Sequence, residues 1–130
     1  MHRIFLVHDQ QESPNQRREA LAKAGYEVSL FTSETDVIAQ LHKELPALIL
    51  VDILLEGPNG FEVCKRIRTL LDAAQMPVIL GSHIYRSRIY RDEAQAAGAQ
   101  RYLRYPVEME ELVETVGEVI AEAAAANRAA

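Results

Sequence analysis

Ala47-Leu48-Ile49-Leu50-Val51-Asp52-Ile53 is an apolar run of strand length, interrupted near its end by a single carboxylate. So short and continuous a run, bounded by polar residues and turn formers, reads as a strand buried on both faces. On its N-terminal side, Ser33 is placed to cap a helix through about Glu44, with Val37, Ile38 and Leu41 on one face and Pro46 closing it. Before that, Val28 to Phe31 forms a second strand. Ser13-Pro14 supplies an N-cap and first-turn proline for a helix that Gly25 stops, with Leu21 and Ala24 as its apolar stripe. Ile4 to Val7 opens the chain as a first buried strand. On the C-terminal side, a Gly57-Pro58-Asn59-Gly60 turn leads into a helix lined by Phe61, Cys64, Ile67 and Leu71. Val78 to Gly81 reads as a fourth strand, Ile84 to Ala97 as a helix ended by Gly98, and Arg101 to Tyr105 as a fifth strand before Pro106. A last helix carries Leu112, Val113, Val116 and Ile120 and runs into an alanine-rich tail, taken as residues 123–130 after a domain of 1–122.

Five strands alternating with five helices, with no repeat and no long linker, imply a doubly wound five-stranded parallel sheet with helices on both faces. Chemistry in such sheets gathers beyond the carboxyl ends of the strands. His8, Asp9, Asp52, Ser82, His83 and Tyr105 are the residues placed there. The 130 residues suit one domain with one core. A net charge of −5 argues against binding nucleic acid through the whole surface. One cysteine, Cys64, excludes an internal disulfide, and its helix-core spacing reads as packing. No stretch approaches the ~20 apolar residues of a membrane span, so the expectation is a cytoplasmic protein.

Two carboxylates at the ends of neighbouring buried strands, Asp9 and Asp52, are costly to desolvate unless something neutralises them. Magnesium is the natural candidate, since it takes hard oxygen ligands and bridges to phosphate. Asp52 would then be the nucleophile in phosphoryl transfer, with the Ser82 hydroxyl placed to hydrogen-bond a phosphoryl oxygen. Taken alone, Asp52 also reads as a strand terminator, and Ser82 as a residue that satisfies local backbone.

Four stretches carry a resemblance across about Arg3 to Ile120: Ile-Phe-Leu-Val-His-Asp-Gln from Ile4, Leu-Ile-Leu-Val-Asp-Ile-Leu-Leu-Glu-Gly-Pro-Asn-Gly from Leu48, Pro-Val-Ile-Leu-Gly-Ser from Pro77, and Ala-Gly-Ala-Gln-Arg-Tyr-Leu-Arg-Tyr-Pro-Val from Ala97. In that order the chain resembles the response-regulator receiver family of two-component signalling. The resemblance implies a flavodoxin-like (βα)5 fold and a signalling domain rather than an enzyme. It makes Asp52 the phosphoacceptor, fed by a histidine kinase or phosphotransfer protein. Mg2+ would be held by Asp9, Asp52 and the Leu54 carbonyl. Ser82 and Tyr102 take the hydroxyl and aromatic switch positions, Gly60 belongs to the turn closing the acceptor loop, and Pro106 falls where the family has a cis proline.

The sequence departs from the family at three places. His8 replaces one acid of the family's acidic pair, Tyr105 replaces its lysine, and His83 stands where a small residue is usual. Tyr105 donates one hydrogen bond but supplies no ammonium charge. His83 is placed to restrict access to Asp52. One carboxylate and one cation are lost together, so the charge sum is kept, and weak Mg2+ binding with slow phosphorylation is expected. The alternative is a degenerate pseudo-receiver, a phosphorylation-independent protein-interaction module, which His8 and Tyr105 favour and Asp9, Asp52 and Ser82 oppose. A His8/His83 zinc site lacks a third nitrogen or sulfur ligand. A flavin or nucleotide domain would need a Gly- or Ser/Thr-rich loop after the first strand, and His8 to Asn15 has no glycine. The fourth helix and fifth strand carry Arg86, Arg88, Arg91, Arg101 and Arg104, and the last helix carries Glu108, Glu110, Glu111, Glu114, Glu118 and Glu122. That basic surface beside an acidic one is expected to be the partner face, including for a homodimer.

Overall fold

The computed structural model describes residues 2–129; Met1 and Ala130 lie outside the described residues. Ten elements alternate along the chain: β1 (Arg3–Val7), α1 (Asn15–Lys23), β2 (Glu27–Phe31), α2 (Glu34–Leu41), β3 (Leu48–Asp52), α3 (Gly60–Leu70), β4 (Val78–Ser82), α4 (Arg88–Ala97), β5 (Arg101–Arg104) and α5 (Met109–Ala129). The strands form one parallel sheet in the order β2-β1-β3-β4-β5. This is the expected flavodoxin-like (βα)5 arrangement.

The all-apolar strands follow from two cores, one on each face. Alternate strand residues Phe5, Val7, Ile49, Val51, Val78 and Leu80 pack against α2, α3 and α4 through Val37, Phe61, Cys64, Ile67, Ala94 and Ala97. Their neighbours Ile4, Leu6, Leu48, Leu50 and Ile79 pack against α1 and α5 through Leu21, Leu112, Val116 and Val119. No residue of β3 or β4 faces water, which is why neither strand shows the polar alternation of a half-exposed sheet. Strand order reverses between β1 and β3, and that topological switch point opens a crevice at their carboxyl ends.

Local signals set most of the element ends. The Ser33 side chain accepts from Asp36 N–H at 3.2 Å and starts α2. Asn59 and Glu62 form a reciprocal capping box at α3. At the sheet margin opposite the crevice, Arg68 of α3 donates to the carbonyls of Gly98 and Met76 at 2.7–2.9 Å and reaches the Gln100 side chain.

Four expected element ends and one helix face differ. The fourth helix begins at Arg88, not Ile84; the Ser82 hydroxyl accepts from the N–H groups of Ile84 and Tyr85 at 3.1 Å and closes a turn there, and Ser87 takes the cap position of the helix. Ser13 does not cap α1: its hydroxyl accepts from Asn15 N–H at 3.3 Å and Pro14 occupies the cap position. The inward face of α1 is Arg17 and Leu21 rather than Leu21 and Ala24. α2 ends at Leu41, several residues before Glu44. Finally, α5 runs unbroken to Ala129, since alanine is the best helix former and the tail offers no stop signal.

Cys64 is fully buried in the α3 core, with its Sγ directed at the Ala97 carbonyl at 3.4 Å. Burial pushes the thiol up from 9.0 to about 11, with Arg68 nearby acting in the opposite direction. Between those two values the unfolded thiol ionises while the folded one stays protonated, so folding stability falls as pH rises, by about 1.4 kcal/mol per pH unit. Urea denaturation at about pH 8 and about pH 10 should show that loss, and Cys64→Ala should have a shallower pH dependence than the wild type. Equal slopes in the two proteins would show that the thiol is not the cause.

Candidate functional site

The crevice holds a cavity of about 230 Å3 lined by Asp9, Glu12, Asp52, Leu54, Ser82, His83 and Tyr105 among others. Asp52 sits at the last position of β3 and is 6% exposed. The loop after it folds back tightly, with Gly60 N–H donating to the Ile53 carbonyl at 2.8 Å. A Cβ on Gly60 would lie 2.5 Å from the Asp52 carbonyl oxygen, so only glycine lets α3 begin so close to the strand end.

The side chain that meets Asp52 comes from α1. Arg17 donates from NH1 to Oδ1 at 2.6 Å and from NH2 to Oδ2 at 3.0 Å, a two-pronged fork on the carboxylate. Both side chains are about 8% exposed. The same guanidinium lies 5.1 Å from the centre of the Tyr105 ring and reaches its hydroxyl at 3.4 Å. Desolvation alone would lower the Arg17 pKa; hydrogen bonding to Asp52 and the charges around it outweigh that and hold it above its ordinary value. Burial raises the Tyr105 hydroxyl well above the usual tyrosine range against the pull of Arg17, so it stays neutral, and its oxygen accepts from the guanidinium. Gly81 makes room for this ring: a Cβ there would stand 2.6 Å from it.

The other expected residues sit around this pair. Asp9 lines the same cavity, half-buried, and its Oδ1 accepts from Gln11 N–H at 3.0 Å. His8 is buried behind it with Nδ1 3.0 Å from the Asp9 carbonyl oxygen. His83 contacts Glu12 at 2.6 Å and lies 5.1 Å from Tyr105, ring to ring. Ser82 is buried and caps the loop before α4 with its hydroxyl oxygen. The Tyr102 ring is half-buried and nearly parallel to Phe61, and its hydroxyl donates to the Tyr85 carbonyl at 2.5 Å. The Tyr105–Pro106 peptide is cis.

A protein-family model for the response regulator receiver domain matches residues 4–117. The chain belongs to the receiver domain family. Among its relatives is PilH of Pseudomonas aeruginosa, 28% identical over 93% of this chain and 99% of that protein. AfsQ1 of Streptomyces coelicolor, a transcriptional regulatory protein, is 34% identical over 59% of this chain, which spans only 33% of its length. A CheY-like response regulator receiver domain protein from Methanospirillum hungatei superposes with a TM-score of 0.84 at 27% identity, covering 95% of this chain and 96% of that one.

Asp9, Asp52, Leu54, Ser82, His83 and Tyr105 line one cavity, whereas His8, Tyr102 and Pro106 lie outside its lining; Arg17, which meets Asp52, is a participant that sequence reasoning missed. Arg17 carries no motif. The available signal was its position four residues before Leu21, on the inward stripe of a helix, where a guanidinium needs a buried acid. Receiver domains generally hold Mg2+ at this site. The donor set in this receiver does not fit a divalent ion as it stands, because both Asp52 oxygens carry Arg17 donors. Among the described residues no three His, Cys, Asp or Glu side chains are grouped to hold a metal.

Removing one partner of a buried pair strands the other charge at a cost of about 3–5 kcal/mol, whereas replacing both by apolar groups is often near neutral. Arg17→Met and Asp52→Leu should each lower stability by roughly that much, and the double variant should recover most of the loss. Urea denaturation of the four proteins measures this; additive losses would show that the fork is not a coupled pair.

Proposed function

We propose that this receiver domain is a phosphorylation-independent interaction module within two-component signalling. The observation that carries the reading is the buried fork of Arg17 on Asp52. A carboxylate attacks phosphorus through an oxygen lone pair, and here both oxygens already accept charge-assisted hydrogen bonds at 2.6 and 3.0 Å. Each oxygen keeps a further lone pair, but the bound guanidinium withdraws charge from both and sits where an incoming phosphoryl group would need an approach. No ammonium waits at position 105 to steady a transferring phosphoryl group. The cation that neutralises Asp52 is therefore built into the chain.

On this reading the output surface is α4-β5-α5, the basic and acidic faces singled out in the sequence. Arg88 and Arg91 on α4 are exposed, as are Glu110, Glu111, Glu114, Glu118 and Glu122 on α5. Arg101 is already committed within the chain, to Glu122 at 2.6 Å. The remaining free charges suit a partner protein or a second copy, with salt-sensitive binding. No helix of the described residues is long and apolar enough to cross a membrane.

A second reading is that Asp52 accepts a phosphoryl group from a histidine kinase or phosphotransfer protein. It is favoured by the cavity of about 230 Å3 that places Asp52 beside Asp9 and Ser82. One experiment separates the two. The wild-type domain is incubated with acetyl phosphate and Mg2+ and weighed intact by mass spectrometry. The expected result is no gain; addition of one phosphoryl group, abolished in Asp52→Asn, would establish the second reading.

A further inference from the structure

We infer that Arg17 is this receiver's in-chain replacement for a divalent cation, and that the guanidinium, rather than the loss of ligands, keeps metal out of the crevice. The inference rests on the proposed phosphorylation-independent reading and extends it to what sets the site's chemistry. Three oxygen-bearing residues still converge on one cavity: Asp9, Asp52 and Leu54. Of these, only Asp52 is occupied by a cationic partner, and that partner comes from α1, outside the strand ends that supply the others.

Charge and space both exclude a shared site. Mg2+ demands a ligand oxygen at about 2.0–2.1 Å. An ion that close to either Asp52 oxygen would stand within a few ångströms of guanidinium nitrogens lying 2.6 and 3.0 Å from those same atoms. A dication and a monocation at ~4 Å repel strongly even in a partly screened environment. Arg17 is also not a loose surface arm. Its side chain is about 8% exposed, lies over the Tyr105 ring, and is held four residues from Leu21, which is fully buried. Tyr105 and Arg17 act together here. The ring at position 105 is the platform on which the guanidinium lies, and Gly81 gives that ring its space. The positive charge that position 105 does not supply reaches the same carboxylate from α1.

The test removes the guanidinium and asks whether the metal site appears. Mn2+, which broadens nearby NMR signals, is titrated into wild type, Arg17→Gln, Arg17→Met and Arg17→Lys; Mg2+ thermal shifts are read in parallel. Wild type and Arg17→Lys should respond weakly. Arg17→Gln and Arg17→Met should bind roughly a hundredfold more tightly, with broadening centred on Asp9, Asp52 and Leu54. Folded neutral variants that bind no better than wild type would assign the loss to His8 and overturn the inference, as would wild-type binding equal to theirs. Should the neutral variants be unfolded without metal, refolding on addition of Mg2+ supports the inference and continued unfolding in millimolar Mg2+ overturns it. The metal titrations contain no phosphodonor and compare wild type with the Arg17 variants, so they read the inference separately from the mass measurement that tests the proposed function.

Discussion

A carboxylate held away from water at the end of a buried strand must be neutralised, and in this receiver a guanidinium does it. The Arg17–Asp52 fork explains several features that are otherwise unrelated. Tyr105 in place of an ammonium gives the guanidinium a flat surface and one oxygen to approach. Gly81 leaves the ring room, and Gly60 lets α3 start against the strand that carries Asp52. Each is a condition for bringing α1 and β3 together around one pair of opposite charges.

The switch residues are arranged around a neutralised carboxylate. The Ser82 hydroxyl is directed at the loop before α4, where it accepts two backbone N–H groups. Tyr102 joins that loop from β5 by donating to the Tyr85 carbonyl while its ring lies along Phe61. The side chain of Arg86 closes the same loop onto the Tyr105 carbonyl, and Arg104 donates to the Arg86 carbonyl at 3.2 Å. The segment joining β4 to α4 is therefore fastened to β5 by side chains of both, which fixes the surface presented to a partner.

The sheet was legible because its signal is redundant. Three apolar runs, β1, β3 and β4, with shorter mixed strands at the edges leave few arrangements, and two cores on opposite faces make every inner strand read alike. The acids were legible from their positions at strand ends. Arg17 was not, because its meaning depends on a partner 35 residues away, and a basic residue in a helix with Arg18 and Glu19 beside it reads as solvated surface. The late start of α4 was hidden for a related reason: Ile84 and Ile89 look like core residues but are 64% and 68% exposed. Ser13 misled because two adjacent residues both carried helix-start signals.

Arg68 has a consequence for how the two margins of the sheet are held. By donating to main-chain carbonyls of the segments that enter β4 and β5, it stitches the lower margin of the sheet like the spine of a book. The upper margin is tied by side chains instead, through the Arg17 fork on Asp52 and the contacts of Tyr102, Arg86 and Arg104. The two ends of the sheet are thus closed by different chemistry, one by a single arginine on main-chain oxygens and the other by a charged pair that one substitution removes.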